Sequence, residues 1–219
     1  MLGSQLLRLE PDALRKSSQL IAEGQSLRLL DEHGAGLPAV YDAIITRDVN
    51  AYIAISKRLA ELFPSVKSLN LKNPNQATKA LGVQLHDGTV IPADTMSEGL
   101  LYWLAYAALP YLEPTALLLI EEPENGLHPA RIRDVMKVLR EISQTIQVVL
   151  ATHSPLVINE LEPHEVSVVT RGADGTKAVL MKDTPNFAER SKAYSLGELW
   201  VSYANGEDEK PLLEGGPRP

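Results

Sequence analysis

The chain contains no cysteine, which excludes disulfides, thiolate zinc sites and thiol catalysis and suits a reducing cytoplasm. It has no apolar run near the roughly 18 residues that a bilayer-spanning helix needs, so no membrane segment is expected. The start, "MLGSQLLRLEPDALRKSS", lacks the basic stretch and long apolar core of a signal peptide. Basic charge is scarce in the later part: residues 81–219 hold 11 Lys and Arg against 20 Asp and Glu, whereas residues 1–80 hold 10 against 8. A nucleic-acid surface normally needs clustered basic charge. Any DNA contact therefore falls to the N-terminal part or to sequence outside these residues.

What is present suits a globular protein. The 219 residues, 44% hydrophobic and 22% charged, suffice for one sizeable domain, or one with an appendage. From Leu37 to Phe63, Tyr52, Ile55, Leu59 and Leu62 fall on one helical stripe, which predicts one or two core-facing helices ending before Pro64. "LGVQLHDGTVIPA" reads as a hairpin turning at Asp87-Gly88 through a two-residue loop, and "VSVVTRGADGTKAVLM" as a second with Asp174-Gly175 in its loop. No internal repeat is evident.

Between the hairpins the texture changes. "EGLLYWLAYAALPYL" reads as a buried helix, "LLLI" as a strand, "PARIRDVMKVLREIS" as an amphipathic helix and "QVVLAT" as a second strand. Strand, helix, strand predicts a parallel βαβ unit, and runs apolar throughout predict strands covered on both faces. Ligands bind beyond the carboxyl ends of parallel strands. The first strand ends there in Glu121-Glu122 and the second in Thr152-His153-Ser154.

Adjacent residues on a strand point to opposite faces, so the two acids share a site only if the strand stops there. Pro123 ends the ladder and is expected to hold Glu122 extended. Two carboxylates at that edge suit a hard cation and a base that activates water; the plain alternative is a pair of solvated acids. His153, structural in the plain alternative, can hold a phosphoryl oxygen or orient water from the neighbouring strand. Ser97, Glu98 and Gly99 open the buried helix, where backbone N–H groups and the hydroxyl can seat an anion; the plain alternative is an ordinary cap by Ser97.

"MSEGL" at 96–100, "LLLIEEPENGLHP" from Leu117 and "ATHSP" from Ala151 together resemble the ATP-binding-cassette type of ATPase, in its RecF-, OLD- and SMC-like branch. The spacings, 24 positions from Ser97 to Glu121 and 31 from Glu122 to His153, are similar to that family's. The resemblance covers about Leu37 to Leu180. It implies an α/β fold: a parallel-sheet, P-loop-NTPase-like C-terminal lobe, with a helical N-terminal part and two β-hairpins. It also implies that Ser97, Glu98 and Gly99 contact the γ-phosphate of ATP held by a partner subunit. Glu121 takes the Walker B position that holds Mg²⁺, Glu122 that of the catalytic base, Asn125 lies in the D-loop, and His153 matches the switch histidine. The partnership implied is ATP sandwiched in a homodimer, with no membrane contact.

Two departures accompany the resemblance. Glu121 stands where Asp is usual, one methylene longer. No G-x-x-x-x-G-K-[ST] pattern, whose N–H groups and lysine hold the β- and γ-phosphates, occurs in these 219 residues. The expected division is a mainly helical segment over 1–80, the lobe with the motifs over 81–185, and an extension and tail over 186–219. Three functions compete: an ATPase seen in part, a catalytically incomplete interaction or dimerisation module, and a metal hydrolase using Glu122, His128 and His153.

Overall fold

The computed structural model describes residues 3–172 and 175–203, in two units that divide between Ala151 and Thr152. The first unit opens on a strand that the hydrophobic pattern did not predict: β1, Ser4–Leu7. A short helix, α1, Pro11–Arg15, and a two-residue strand, β2, Ser18–Gln19, follow. The stretch from Leu37 is two helices, α2, Leu37–Arg47, and α3, Val49–Leu62. Asp48 parts them, its side chain accepting hydrogen bonds from Asn50 and Ala51 N–H at 3.0 and 3.1 Å to cap α3. The expected stripe on α3 packs inward, with Ile55, Leu59 and Leu62 buried and Tyr52 half-buried.

β3, Val66–Asn75, and β4, Thr78–Leu85, pair antiparallel, and β5, Val90–Pro92, and β2 also pair with β4. Residues 1–80 thus hold strands beside the expected helices. A register shift between Val66 and Ser68 puts Val66 and Leu69, three apart, on the buried side, which hides the period of two. The β4–β5 hairpin forms as expected but closes on three residues: Leu85 N–H donates to the Thr89 carbonyl at 2.8 Å, around His86, Asp87 and Gly88. The Asp87 carboxylate accepts the Thr89 N–H at 2.8 Å, which holds its carboxyl below the usual carboxylate range.

α4, Glu98–Ala108, is buried from Leu100 onward; β6, Leu117–Glu121, α5, Pro129–Ile142, and β7, Gln147–Ala151, complete the βαβ unit. β1, β6 and β7 form a parallel sheet in that order. Leu7, Leu118 and Ile120 lie on its packed face, each no more than 4% exposed. The expectation of cover on both faces is corrected here. Leu6, Leu119 and Val149 share one register row on the other face, where Leu6 and Val149 are 41% and 44% exposed. Behind the packed face, Tyr41 of α2 is buried and its hydroxyl donates to the Leu104 carbonyl at 2.8 Å. Phe63 meets Trp103 edge-on at 6.1 Å, and the Arg131 guanidinium sits 5.2 Å above the Phe63 ring.

The second unit holds α6, Pro155–Ile158, the hairpin β8, Ser167–Gly172, and β9, Gly175–Leu180, then α7, Phe187–Arg190, and α8, Leu196–Tyr203. Its core is Val168 and Met181, with Val166, Phe187, Leu196 and Trp200 against them. Gly197 N–H donates to Asn159 Oδ1 at 2.7 Å, tying α8 to the end of α6. Asp174, and the tail expected to fray from residue 207, lie outside the described residues. Among the described residues no helix is long and apolar enough to cross a membrane.

Candidate functional site

β6 ends at Glu121, which pairs with Ala151 of β7. Glu121 follows Leu117 and Leu119 on the open face of the sheet, and its side chain is 46% exposed. Glu122 makes one last ladder bond, its N–H donating to the Ala151 carbonyl at 2.7 Å. There the chain reverses. The Glu122 carbonyl accepts the Asn125 N–H and the Glu124 carbonyl accepts the Leu127 N–H, both at 3.0 Å, over a buried Pro123.

The expectation that Glu122 is extended is corrected: its φ is +45°, in the left-handed region. The residue before a proline disfavours helical backbone, yet the ladder bond before Glu122 and the turn bond after it fix the reversal at this residue. A non-glycine residue held there stores about 1–3 kcal/mol. The two acids are therefore presented by a strand end and a strained turn, and not by alternation along a strand.

Ser97 occupies the N-cap position of α4 but makes no capping hydrogen bond with its side chain, and it is exposed. Gly99 lies against the turn after Glu122: a Cβ added to it would stand 2.9 Å from the Gly126 carbonyl oxygen. Gly126, at φ +67°, is crowded in return by the Tyr102 ring and the Glu98 Cβ. Tyr102 reaches on, its hydroxyl donating to the Leu9 carbonyl at 3.3 Å. Burial, then the charges of Glu98 and Glu10, raise its phenol above the usual range. The start of α4, the turn carrying Asn125, the two acids and the residues after β1 are thus joined in one unit. Asn125 itself is exposed.

The segment after β1 supplies a residue that the sequence reading missed. Leu7 pairs with Ile120, so the next residues, Arg8 and Glu121, emerge together. Arg8 Nε stands 3.6 Å from Glu121 Oε2, with side chains 69% and 46% exposed. Such a pair stabilises the fold by at most about 1 kcal/mol. Its sequence signal is weak, since a four-residue strand shows too little alternation to distinguish it from loop.

His153 stands in the second unit, two residues past the Ala151 that pairs with Glu121. Its carbonyl accepts the Trp200 Nε1–H at 3.3 Å, and the two rings lie 6.3 Å apart at 37°. The following turn is held by Ser154 N–H donating to Thr152 Oγ1 at 2.9 Å. Trp200, which supports His153, had no distinguishing sequence signal beyond the apolar period of α8.

Among the described residues no three His, Asp or Glu side chains gather as a metal cage. His128 serves α5, its Nδ1 accepting the Ala130 N–H at 3.2 Å, which leaves the hydrolase reading without support. Magnesium fits better. It keeps several waters and is commonly held by one or two carboxylates plus substrate phosphates, a need that an accessible Glu121 beside Glu122 can meet.

Residues 4–159 match the family described as "AAA domain, putative AbiEii toxin, Type IV TA system". Solved structures are similar as well. One, described as "Structural biochemistry of ATP-driven dimerization and DNA stimulated activation of SMC ATPases", is 18% identical over 71% of this chain and 99% of that one, with a TM-score of 0.49. The Smc head domain with a coiled coil and joint from Pyrococcus yayanosii is 18% identical over 69% of this chain and 31% of that one, at 0.48. The SmcHead bound to the C-winged helix domain of ScpA is 17% identical, covering 64% and 44%, at 0.50. The chain spans less than half the length of the last two. The likeness to the last is one of fold, a mixed α/β, P-loop-NTPase-like head.

Proposed function

The chain belongs to this AAA domain family, and from that premise we propose that it is the motif-bearing part of an ATPase that hydrolyses ATP to ADP and phosphate between two subunits. The observation that carries the reading is the meeting, within one unit, of the Ser97–Gly99 helix start, the turn through Asn125 and the Glu121–Glu122 strand end. Mg²⁺, when bound, supplies the charge that offsets the β- and γ-phosphate oxygens. Glu121 would hold it. Glu122, fixed by its ladder bond and its turn, accepts the proton of the attacking water.

The N–H groups at the start of α4 and the uncapped Ser97 hydroxyl take the γ-phosphate bound by the partner subunit, with Glu98 and Gly99 at the same helix start. Asn125 lies along the dimer contact, and His153 positions the water or a γ-phosphate oxygen. Homodimerisation, and a role in DNA repair or phage defence, belong to the same proposal. Its test is ATP turnover by the full reading frame containing these residues, with and without duplex DNA, against Glu122→Gln. Loss of turnover supports the base assignment, and turnover at the normal rate refutes it. A second reading, a catalytically incomplete dimerisation module, is favoured by one observation: no phosphate-loop pattern lies in these 219 residues. Micromolar ATP affinity of the isolated chain would exclude that reading.

A further inference from the structure

Arg8 stands at the same edge with no part in the scheme above. Its backbone is pinned on both sides. Its N–H donates to the Glu32 carbonyl at 2.8 Å, and its own carbonyl accepts from His33 Nδ1 at 3.2 Å. The guanidinium is left mostly exposed, in a single 3.6 Å approach to Glu121. An arginine committed to a carboxylate makes two parallel bonds at about 2.7–2.9 Å, so this contact is loose and exchangeable.

The neighbouring charges give the guanidinium a purpose. Beside Glu121 and Glu122, Glu10 and Glu32 flank His33, whose Nδ1 and Nε2 lie 3.3 and 3.7 Å from their carboxylates. A polyphosphate meeting those acids alone is repelled. The lysine that a phosphate loop would supply has no counterpart pattern in these residues. Arg8 presents a planar fork suited to phosphate oxygens, from a fixed backbone one strand away from Glu121.

We propose that Arg8 is a nucleotide-binding cation of this edge, pairing with Glu121 in the absence of ligand and turning to phosphate oxygens when Mg²⁺ engages that carboxylate. The proposal rests on the ATPase reading. It makes Arg8 a competitor of the metal alone and a helper of the metal with nucleotide, two effects of opposite sign. A purely structural ion pair produces only the first, so the loss of nucleotide affinity is the effect that decides.

The probes are Mn²⁺ alone, followed by electron paramagnetic resonance, and a fluorescent ATP analogue with Mg²⁺, titrated to millimolar concentration. The proteins are the full reading frame containing these residues and its Arg8→Gln, Arg8→Lys and Glu121→Gln variants. Arg8→Gln is expected to bind Mn²⁺ about threefold more tightly, as befits loss of a weak competing pair. It should bind the analogue about tenfold more weakly, the worth of a lost charge-assisted hydrogen bond, and Arg8→Lys should recover part of that loss. Analogue affinity unchanged in Arg8→Gln but weakened in Glu121→Gln overturns the role of Arg8 and leaves the ATPase reading standing. No analogue binding by the unaltered full reading frame, or binding indifferent to Glu121→Gln, overturns the ATPase reading and this proposal with it. A marked fall in the melting temperature of both Arg8 variants shows a structural pair, and also overturns it.

Discussion

The two ends of the parallel sheet are built differently. At the amino end the backbone bonds are shared in order: Ala116 N–H donates to the Gly3 carbonyl at 2.9 Å and Gln147 N–H to the Ala116 carbonyl at 3.3 Å. Thr115 and Leu118 there are buried, and Leu109, Pro110, Ile142 and Ile146 line a recess of about 250 Å³ beside them. At the carboxyl end the sheet finishes in an exposed Glu121, a loose ion pair and a half-buried, left-handed Glu122. Apolar burial rewards the first arrangement, whereas nothing in folding alone rewards the second. Strain and exposed charge gathered at one end of a sheet are what a ligand-handling edge requires.

If that contrast is functional, substitutions at the two ends should separate activity from stability. The largest effect is expected from Glu122→Gln, which keeps size and backbone but removes the base. Turnover by the full reading frame should fall about 10²–10⁴-fold, while the midpoint of urea unfolding stays nearly unchanged. At the other end, Leu118→Ala should cost about 2–5 kcal/mol of stability, read from urea unfolding. Turnover per folded molecule should be retained. If Leu118→Ala instead abolished turnover in fully folded protein, the two ends would not be separable.

Gly99→Ala lies between these cases, because it tests the joint between the helix start and the Asn125 turn. The added Cβ meets backbone, the Gly126 carbonyl 2.9 Å away, so the two elements must part. Overpacking of that kind costs about 1–3 kcal/mol. Turnover should fall by more than the lost stability explains, since Ser97 moves with its helix. Unchanged stability would mean that the two segments are not held together in solution.

Much of this was legible in the sequence, and what escaped has a common cause. α5 and α3 were legible because Ile132, Val135, Met136 and Leu139, or Ile55, Leu59 and Leu62, repeat at the helical period and are buried. β6 and β7 were legible as short apolar runs, and both hairpins from their turn residues. β1 was not, because its partner β6 lies more than 100 positions away and four residues carry no period of their own. Arg8 went unseen for the same reason. The open face of the sheet was missed because an apolar run reports which residues are hydrophobic and not which neighbours cover them. Glu122 was misread because a local rule about proline was overridden by hydrogen bonds to Ala151 and Asn125, which no local pattern announces.

That misreading leads to the smallest effect and the sharpest use of the comparison. Glu122→Gln and Glu122→Asn both remove the carboxylate, and both stand before Pro123, so they share the loss of turnover. They differ in backbone preference: Asn adopts left-handed φ more readily than Gln, and neither adds the unfolded-state freedom of Gly. If φ +45° at Glu122 is strained, the Asn variant should be more stable than the Gln variant by about 0.5–1 kcal/mol. Urea unfolding of the two variants side by side measures this directly. Equal stability would remove strain from the carboxyl end and leave its exposed charges as the sole difference from the amino end. A stabilised Asn variant without turnover would mean that the strain at Glu122 is maintained for the carboxylate it carries.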